Sequence, residues 1–364
     1  MMDIDHLESL SDDELVALLN QRETDAKKLD VMQLGYKVTL NSAYGMIGSE
    51  YSRYFDTRIA EAITLSGQLS IRWIERKLDE YLNVVCGTEG ESFAVAGDTD
   101  SIYISLSPLV DKFFPGAEKA KIVGAIDKLC EQKIQPVIDK AYNELADYMN
   151  AYQQKMFMAR EVIADRGIWR AKKNYVLNVW NSEGVAYDEP KLKILGIESV
   201  RSSTPAICRD SIKETLRILM TEDETAVQEF IKKFKGEFMA ASVFDISRNS
   251  GVSDIVKWDQ PEGFMLRTPY HVKASMVYNR LIEEHDLGGK YRKIRNGDKV
   301  KLIQIKPANP TFNSMIAFHD ELPPEFDMDR FVDKKTHYQK TFLDPVESLL
   351  DIVGWHSTKT NTLW

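Results

Sequence analysis

The chain has 364 residues, of which 43% are hydrophobic and 28% are charged, so it is long enough for two or three globular domains. It contains no run of about 18 apolar residues, no signal-peptide pattern and only three widely spaced cysteines, which argues against membrane insertion, secretion, a disulfide framework and a zinc site. The net charge of −9 argues mildly against a nucleic-acid partner, although seven basic residues and one acid cluster between residues 290 and 306.

The first predicted element is a long helix, or two helices in close succession, from about residue 12 to about residue 44. Ser11 and Glu14 have the spacing of a capping box, and Gly45 and Gly48 predict the end of the helix. The apolar residues that follow the cap recur at helical spacing: Leu15, Leu18, Leu19, Ala26 and Leu29.

The end of this helix carries a candidate nucleotide-binding face. At about 100° per residue, five residues fall within a quarter to a third of the circumference: Lys37, Asn41, Tyr44, Gly45 and Gly48. A lysine neutralises phosphate, an asparagine donates to it, and glycines beside a tyrosine admit a flat group. These residues favour a nucleoside-triphosphate platform; the alternative is a capped helix end with Tyr44 packed inward.

Residues 58–84 are predicted to form the next helix, followed by a hairpin at 92–106 and one or two helices at 117–155.

The hairpin turn, Gly97–Ser101, carries Asp98 and Asp100, which strand alternation would place on the same side. Bound Mg²⁺ would relieve the repulsion between them. The alternatives are an Asp-rich turn and a sugar-nucleotide transferase, although the latter would not explain the helix face. An EF-hand fails, because Tyr103 and Leu109 occupy its glycine and glutamate positions.

Strands are predicted at Met156–Met158, Tyr175–Trp180 and Lys191–Leu195. Lys172, Lys173, Asn174 and Tyr175 open the second of these strands, and paired lysines beside an aromatic ring suit a phosphate backbone and a primer end. The alternative is a solvated strand start. Glu161 follows the first strand and either adds a carboxylate near the metal or belongs to a surface charge pair.

From Ser203 the pattern is helical to about residue 241, and the remainder is mixed, with a short strand at Lys299–Ile305. A domain boundary is expected near residue 203 and a weaker one near residue 48.

The order and spacing of these segments resemble those of family B DNA polymerases, with the greatest likeness to replicative polymerases of large tailed phages of the myovirus type. The resemblance rests on Lys37-x-x-x-Asn41-Ser42-x-Tyr44-Gly45, Gly97–Ser101 and Lys172–Tyr175, and extends to Ser202–Pro205 and Tyr278–Arg280. It implies an α+β chain with part of the polymerase right-hand fold. Residues 1–48 would form the second half of the fingers, 49–202 a palm with an antiparallel sheet, and 203–364 a mostly helical thumb with a C-terminal tail.

The resemblance also implies roles. Lys37 would contact the dNTP triphosphate, Asn41 would support it, and Tyr44 would inspect the nascent base pair. Asp98 and Asp100 would be the catalytic metal ligands for two Mg²⁺ ions, with Asp100 the firmer ligand and with Thr99 and Glu161 nearby. The DNA-binding residues would be Lys172, Lys173, Asn174 and Tyr175, which hold the primer strand. The implied reaction is two-metal nucleotidyl transfer to the primer 3′-hydroxyl.

Several family features are missing from the sequence. The Asp-x-x-Ser-Leu-Tyr-Pro segment with a further catalytic aspartate, the first fingers helix and the 3′–5′ exonuclease region are absent. Ala96 replaces a tyrosine, and the loop between Glu161 and Trp169 is short. These departures lead us to expect the C-terminal subunit of a split polymerase, which acts in the cytoplasm of a bacterial host with an N-terminal chain that supplies the missing parts. The end of the tail, Leu363 and Trp364, loosely resembles a sliding-clamp docking segment.

Two other classes of function remain open from the sequence. One is a non-catalytic remnant that binds DNA or tethers a clamp, against which the intact motif residues argue. The other is an unrelated Mg²⁺-dependent nucleotidyl or glycosyl transferase that is complete in one chain.

Overall fold

The computed structural model describes residues 9–260, 263–265 and 267–358, which form two compact units. The first unit contains residues 9–112 and 136–158, and the second contains 113–135 and the described residues from 159 onward. Helices and antiparallel strands are mixed in the chain, which confirms the predicted α+β class. Among the described residues, no helix has the length and apolar character needed to cross a membrane. The predicted borders of fingers, palm and thumb stay a prediction.

The first unit is mostly helical and carries one hairpin. Its elements are α1 (Asp12–Gly48), α2 (Thr57–Cys86), β1 (Ala94–Asp98), β2 (Ser101–Ile104), α3 (Ser107–Phe113) and α5 (Gln135–Tyr148). The strands β1 and β2 pair in antiparallel fashion and form a two-stranded sheet.

Helix α1 begins where the sequence predicts. The Ser11 hydroxyl accepts a hydrogen bond from the Glu14 amide, and the Glu14 carboxylate accepts one from the Ser11 amide at 2.9 Å, which completes the capping box. The helix continues through Gly45 and ends at Gly48, four residues later than Tyr44. None of its 37 residues is buried.

The second half of α2 supplies much of the core of this unit. Residues four apart on one face are buried: Ser70, Ile74, Leu78 and Leu82. Trp73 ties this part of α2 to α5, since its Nε1–H donates to the Ala141 carbonyl at 3.0 Å and its ring stacks on Tyr148. The first half of α2 leaves Ile59, Ile63 and Leu65 about half exposed.

The second unit has two three-stranded antiparallel sheets, in the orders β3-β4-β5 and β10-β9-β6. Its strands are β3 (Val162–Ala171), β4 (Asn174–Ser182), β5 (Val185–Leu195), β6 (Arg248–Gly251), β7 (Asp259–Gln260), β8 (Gly263–Phe264), β9 (Lys299–Gln304) and β10 (Met315–Phe318). Its helices are α4 (Lys119–Leu129), α6 (Ala206–Thr221), α7 (Glu224–Ala240), α8 (Val243–Ile246), α9 (Ile255–Trp258), α10 (Tyr270–Glu284), α11 (Lys334–Tyr338) and α12 (Asp344–Leu350).

One continuous apolar core fills the second unit. Four aromatic rings meet at its centre. Phe234 and Phe238 come from α7, Tyr338 comes from α11, and Phe342 comes from the π-helical segment Gln339–Leu343 that follows α11. Their centroids lie 4.5–6.2 Å apart in tilted or edge-on pairs, the arrangement that aromatic quadrupoles favour. The predicted elements at Tyr175–Trp180, Lys191–Leu195 and 203–241 are confirmed.

The predicted strand at Met156–Met158 is wrong. These residues have no regular secondary structure, and the Phe157 side chain is 77% exposed. An apolar run becomes a strand only where another strand satisfies its backbone groups, and the described residues provide none at this position.

Candidate functional site

The residues of the candidate nucleotide-binding face all lie within α1. Because the helix is unbroken from Lys37 to Gly48, their helical spacing holds and they share one arc of its surface. Lys37 and Asn41 are exposed, and Tyr44 is 44% exposed. Apart from the chain neighbours and the backbone of α1 itself, no heavy atom of the described residues lies within 4 Å of where a Cβ would stand on Gly45 or Gly48. This face is therefore open to a ligand.

The carboxyl end of α1 is fixed to the start of α2. The Asp56 amide donates to the Ile47 carbonyl at 3.0 Å, and the Asp56 carboxylate caps α2 by accepting from the Arg58 amide at 2.9 Å. The Arg58 guanidinium also binds this carboxylate, which lowers the pKa of Asp56. The candidate face thus lies near the end of α1 that is hydrogen-bonded to the residue before α2.

The candidate metal ligands lie at a two-residue turn between β1 and β2. Asp98 ends β1 opposite Ser101, and Thr99 and Asp100 form the turn. Thr99 adopts a φ of 50°, in the left-handed region that a β-branched residue rarely occupies. Its hydroxyl donates to Asp98 Oδ1 at 3.0 Å, and the Asp100 amide donates to the Asp98 carbonyl at 2.5 Å. These bonds hold the strained turn in one conformation.

Asp98 is half-buried and Asp100 is exposed. Strand alternation does not extend to Asp100, because it belongs to the turn, so the shared orientation of the two carboxylates stays a prediction. Within the described residues, no cluster of three or more His, Cys, Asp or Glu side chains is arranged to hold a metal. Two carboxylates fit part of a Mg²⁺ site, whose remaining oxygens come from water, phosphate or further carboxylates.

The hairpin base is held by two polar residues of α2 that sequence reasoning did not single out. Asp79 Oδ1 accepts from the Phe93 amide at 2.8 Å. Asn83 accepts from the Glu91 amide at 3.1 Å and donates to the Glu91 carbonyl at 2.7 Å. Asp79 and Asn83 lie one helical turn apart, which places both on the side of α2 that faces the hairpin.

The predicted primer-gripping residues surround the tight turn between β3 and β4. Lys172 and Lys173 form the turn and are exposed, and Lys173 has a φ of 58°. Asn174 and Tyr175 begin β4 and are 8% and 5% exposed. The Tyr175 ring packs 6.3 Å from the ring of Trp169 on β3. The two lysines are therefore presented outward, whereas the two residues after them support the hairpin.

Gly196, which follows β5, supports this turn from the other side. Its carbonyl accepts from Asn174 Nδ2 at 3.2 Å and from Arg201 at 3.0 and 3.2 Å. Its φ is +70°, and a Cβ at this position would overlap the Lys173 carbonyl oxygen. Both facts require glycine. The signal in the sequence was a single glycine directly after a strand, to which no role was assigned.

Replacement of Gly196 by alanine is expected to lower the free energy of unfolding by at least about 3 kcal/mol, because it adds a backbone clash to an unfavourable φ. The matched control is Gly184→Ala, since Gly184 has a φ of +88° with open space around it and should cost only about 1 kcal/mol. Urea denaturation of both variants measures the difference. Equal losses would contradict the tight packing of Gly196 against Lys173.

Glu161 and three of the seven basic residues between 290 and 306 are engaged in ion pairs. The Glu161 carboxylate accepts from Lys193 Nζ at 2.7 Å. In the basic run, Lys290 pairs with Glu325, Arg292 with Asp298, and Lys293 with Glu283. Asp298 within the run, and Glu283 and Glu325 outside it, thus offset part of this positive charge. Leu363 and Trp364 lie outside the described residues, and their role in clamp docking stays a prediction.

The candidate residues are divided between the two units. The first unit brings together Asp98, Thr99 and Asp100, and it also carries the α1 face. The second unit carries the Lys172–Lys173 turn and Glu161.

Comparison with known proteins places these segments in a family context. Residues 14–121 match the family model for DNA polymerase family B. The chain is 35% identical to the DNA-directed DNA polymerase of Enterobacteria phage T4 over 96% of its own length, and 36% identical to that of Escherichia phage RB69 over 86%. It is also 24% identical to DNA polymerase 1 of Aeropyrum pernix over 78%. The chain spans about 40% and 36% of the two phage proteins.

Proposed function

We propose that this chain, which belongs to DNA polymerase family B, provides part of the active site of a template-directed DNA polymerase. The observation that carries the proposal is the Asp98–Asp100 pair at an exposed turn, in a chain similar over 96% of its length to a DNA-directed DNA polymerase. The substrates would be dNTPs and a primer-template DNA. The DNA-directed DNA polymerases of the two phages, which are 35% and 36% identical to this chain, support this choice of substrates.

Each group of exposed residues has a chemical part in this proposal. Lys37 neutralises charge on the triphosphate, Asn41 donates to it, and Tyr44 lies beside the new base pair. Lys172 and Lys173 bind phosphates of the primer strand, where a lysine acts as a point charge without reading sequence. These roles require exposed side chains, and all five residues have them at least in part.

Asp98 and Asp100 would hold the Mg²⁺ ions together with the triphosphate. Bound there, the ions would supply activation of the primer hydroxyl and charge stabilisation of the leaving pyrophosphate. Two carboxylates leave such a site with little negative charge, so we propose that a further aspartate from another polypeptide segment completes it.

Uncovered apolar surface in the first unit supports the need for that segment. Helix α1 buries none of its residues, and large apolar side chains are exposed along it. Leu29 and Val31 are about 200° apart around the helix, so apolar groups project from opposite sides. The first half of α2 adds Ile59 and Ile63, each about half exposed. Apolar surface of this extent is typical of an interaction site. We propose that it is covered by an N-terminal polymerase region that carries the exonuclease and the first palm segment.

Primer extension tests the proposal directly. A labelled primer on a DNA template is incubated with Mg²⁺ and four dNTPs, either with this chain alone or after addition of an N-terminal polymerase chain that contains the Asp-x-x-Ser-Leu-Tyr-Pro segment. Extension is expected only in the mixture, because the metal site needs its third carboxylate.

Each other result has a definite meaning. Extension by this chain alone would show that the metal site is complete without a partner. No extension in the mixture, with an N-terminal chain shown by gel filtration to bind this one, would remove the polymerase proposal and leave a DNA-binding or tethering role.

A further inference from the structure

The turn that carries Lys172 and Lys173 is held from within the protein by Arg170. The Arg170 guanidinium donates two parallel hydrogen bonds to Glu198, with Nη1–Oε2 and Nη2–Oε1 both at 3.1 Å. Nη1 also donates to Ser348 Oγ on α12 at 2.9 Å. The side chains of Arg170 and Glu198 are each 19% exposed. A bidentate pair of this kind fixes the orientation of both groups as well as their distance.

Arg170 also forms a β-bulge next to the turn, and this bulge sets the number of residues in the turn. In the ladder between β3 and β4, Trp169 faces Tyr175 and Ala171 faces Asn174, so Arg170 is an extra residue on β3. Such a bulge bends a strand and redirects the bulged side chain. Here it leaves a two-residue loop of Lys172 and Lys173. Arg170 therefore shapes the loop through the bulge, and its own side chain is held by Glu198 and Ser348.

The turn needs this support because it is strained. Lys173 has a φ of 58°, and a left-handed lysine persists only where its surroundings enforce it. The segment after β5 encloses the turn through Gly196, whose carbonyl binds Asn174, and through Glu198, which binds Arg170. Arg201 strengthens this segment by donating to the Gly196 carbonyl.

We propose that Arg170 is a positioning residue, which holds the turn in the conformation that lets Lys172 and Lys173 bind the primer strand together. The proposal rests on the proposed function of the chain. Arg170 acts through the lysines, because Glu198 neutralises its charge and Ser348 occupies a further donor. The turn also gains a link to α12, so its conformation depends on a helix that is distant in sequence.

The first measurement is the affinity of the full chain for a fluorescent primer-template duplex, by anisotropy at fixed salt. Arg170→Lys keeps the charge but loses the planar fork. It is expected to weaken binding about 10-fold, whereas the control Arg217→Lys should change it less than about 2-fold. Arg217 also binds a carboxylate, that of Glu214, but on the exposed surface of α6. Equal affinities for wild type and Arg170→Lys would overturn the proposal.

A double-mutant cycle separates positioning from direct contact with DNA. In a chain that already carries Lys172→Ala and Lys173→Ala, Arg170→Lys should weaken binding no further, because the groups through which it acts are gone. A persistent 10-fold loss in this background would mean that Arg170 contacts DNA itself, and would overturn the positioning role.

Amide hydrogen exchange without DNA tests whether Arg170 holds the Lys172–Lys173 turn in place, independently of DNA binding. In Arg170→Lys, exchange at residues 171–174 should accelerate at least about 10-fold, while exchange near Arg217 should not change in the control. Unchanged exchange at the turn would overturn the inference whatever the DNA result. A wild-type chain that shows no affinity for primer-template DNA would instead count against the proposed function.

Discussion

Replacement of Asp100 by asparagine is expected to reduce primer extension by about 1,000-fold or more in the reconstituted polymerase. Asparagine keeps the size and shape of the side chain but removes its charge, so the exposed turn should keep its structure. A metal that activates a hydroxyl and stabilises developing charge contributes several kcal/mol to catalysis, and each 1.4 kcal/mol is a factor of about ten in rate. The measurement is single-turnover extension at saturating dNTP and Mg²⁺.

Asp111→Asn serves as the matched control, because Asp111 is an exposed carboxylate in the same unit, on α3. It should extend primers at the wild-type rate. Lys37→Ala should behave differently from both, with a higher apparent KM for dNTP and a smaller change in the maximal rate. If Asp100→Asn retained a rate within about tenfold of wild type, Asp100 could not be an essential metal ligand.

Acid is expected to destabilise the second unit through His337, by about 3 kcal/mol between pH 6.5 and pH 4. His337 lies on α11 and is 1% exposed. Its Nε2 lies 2.8 Å from the Ile246 carbonyl, and its Nδ1 lies 3.4 Å from the Gln304 amide. A neutral ring satisfies both partners, with Nε2–H as the donor and Nδ1 as the acceptor. A second proton on Nδ1 would face the N–H of Gln304.

The pKa of His337 is lowered from 6.5 to about 4, mainly by burial and with smaller contributions from the nearby cations Arg248 and Lys340, while the Ile246 carbonyl and Asp333 oppose the shift. Between these two pKa values the unfolded chain binds a proton that the folded chain does not. Stability is therefore complete above pH 6.5 and falls as the pH decreases to 4, where the loss levels off. The two pKa values differ by about 2.5, and at about 1.4 kcal/mol per pKa unit this difference gives the expected loss of about 3 kcal/mol in the free energy of unfolding.

Urea denaturation at several pH values measures this loss. In His337→Gln, the unfolding free energy should be lower at pH 7 but should vary about 3 kcal/mol less between pH 6.5 and 4. The control His285→Gln, at an exposed position, should keep the wild-type pH dependence. Parallel curves for His337→Gln and wild type would show that burial does not suppress protonation of His337.

Sequence patterns correctly predicted the elements that depend only on residues close together in the chain, such as the start of α1 and the turn between β1 and β2. Ser11 and Glu14 set the start of α1 because a capping box involves only neighbouring residues. The turn at Asp98 and Asp100 follows equally from apolar runs around a polar break. The end of α1 was placed too early, since a glycine such as Gly45 weakens a helix by only about 1 kcal/mol and does not stop it.

What the sequence could not indicate depends on residues that meet only after folding. Arg170 and Glu198 are 28 positions apart, and Arg170 and Ser348 are 178 apart, so no spacing rule connects them. The charge of Lys290 is offset by Glu325, 35 residues later. The apolar run at Phe157 predicted a strand because its pattern carries no information about whether a partner strand exists.

The absence of buried side chains along α1 has a consequence for how this region folds. A helix in water is only marginally stable without tertiary packing, and most helical stability in proteins comes from a buried face. On the proposal that an N-terminal region covers α1, part of the binding free energy would be used to fix the backbone of this helix. Substitutions at Leu29 or Val31 should then leave the thermal stability of the isolated chain unchanged and appear as weaker assembly. Nucleotide-binding competence at Lys37 would become a property of the assembled enzyme, acquired when the helix becomes rigid.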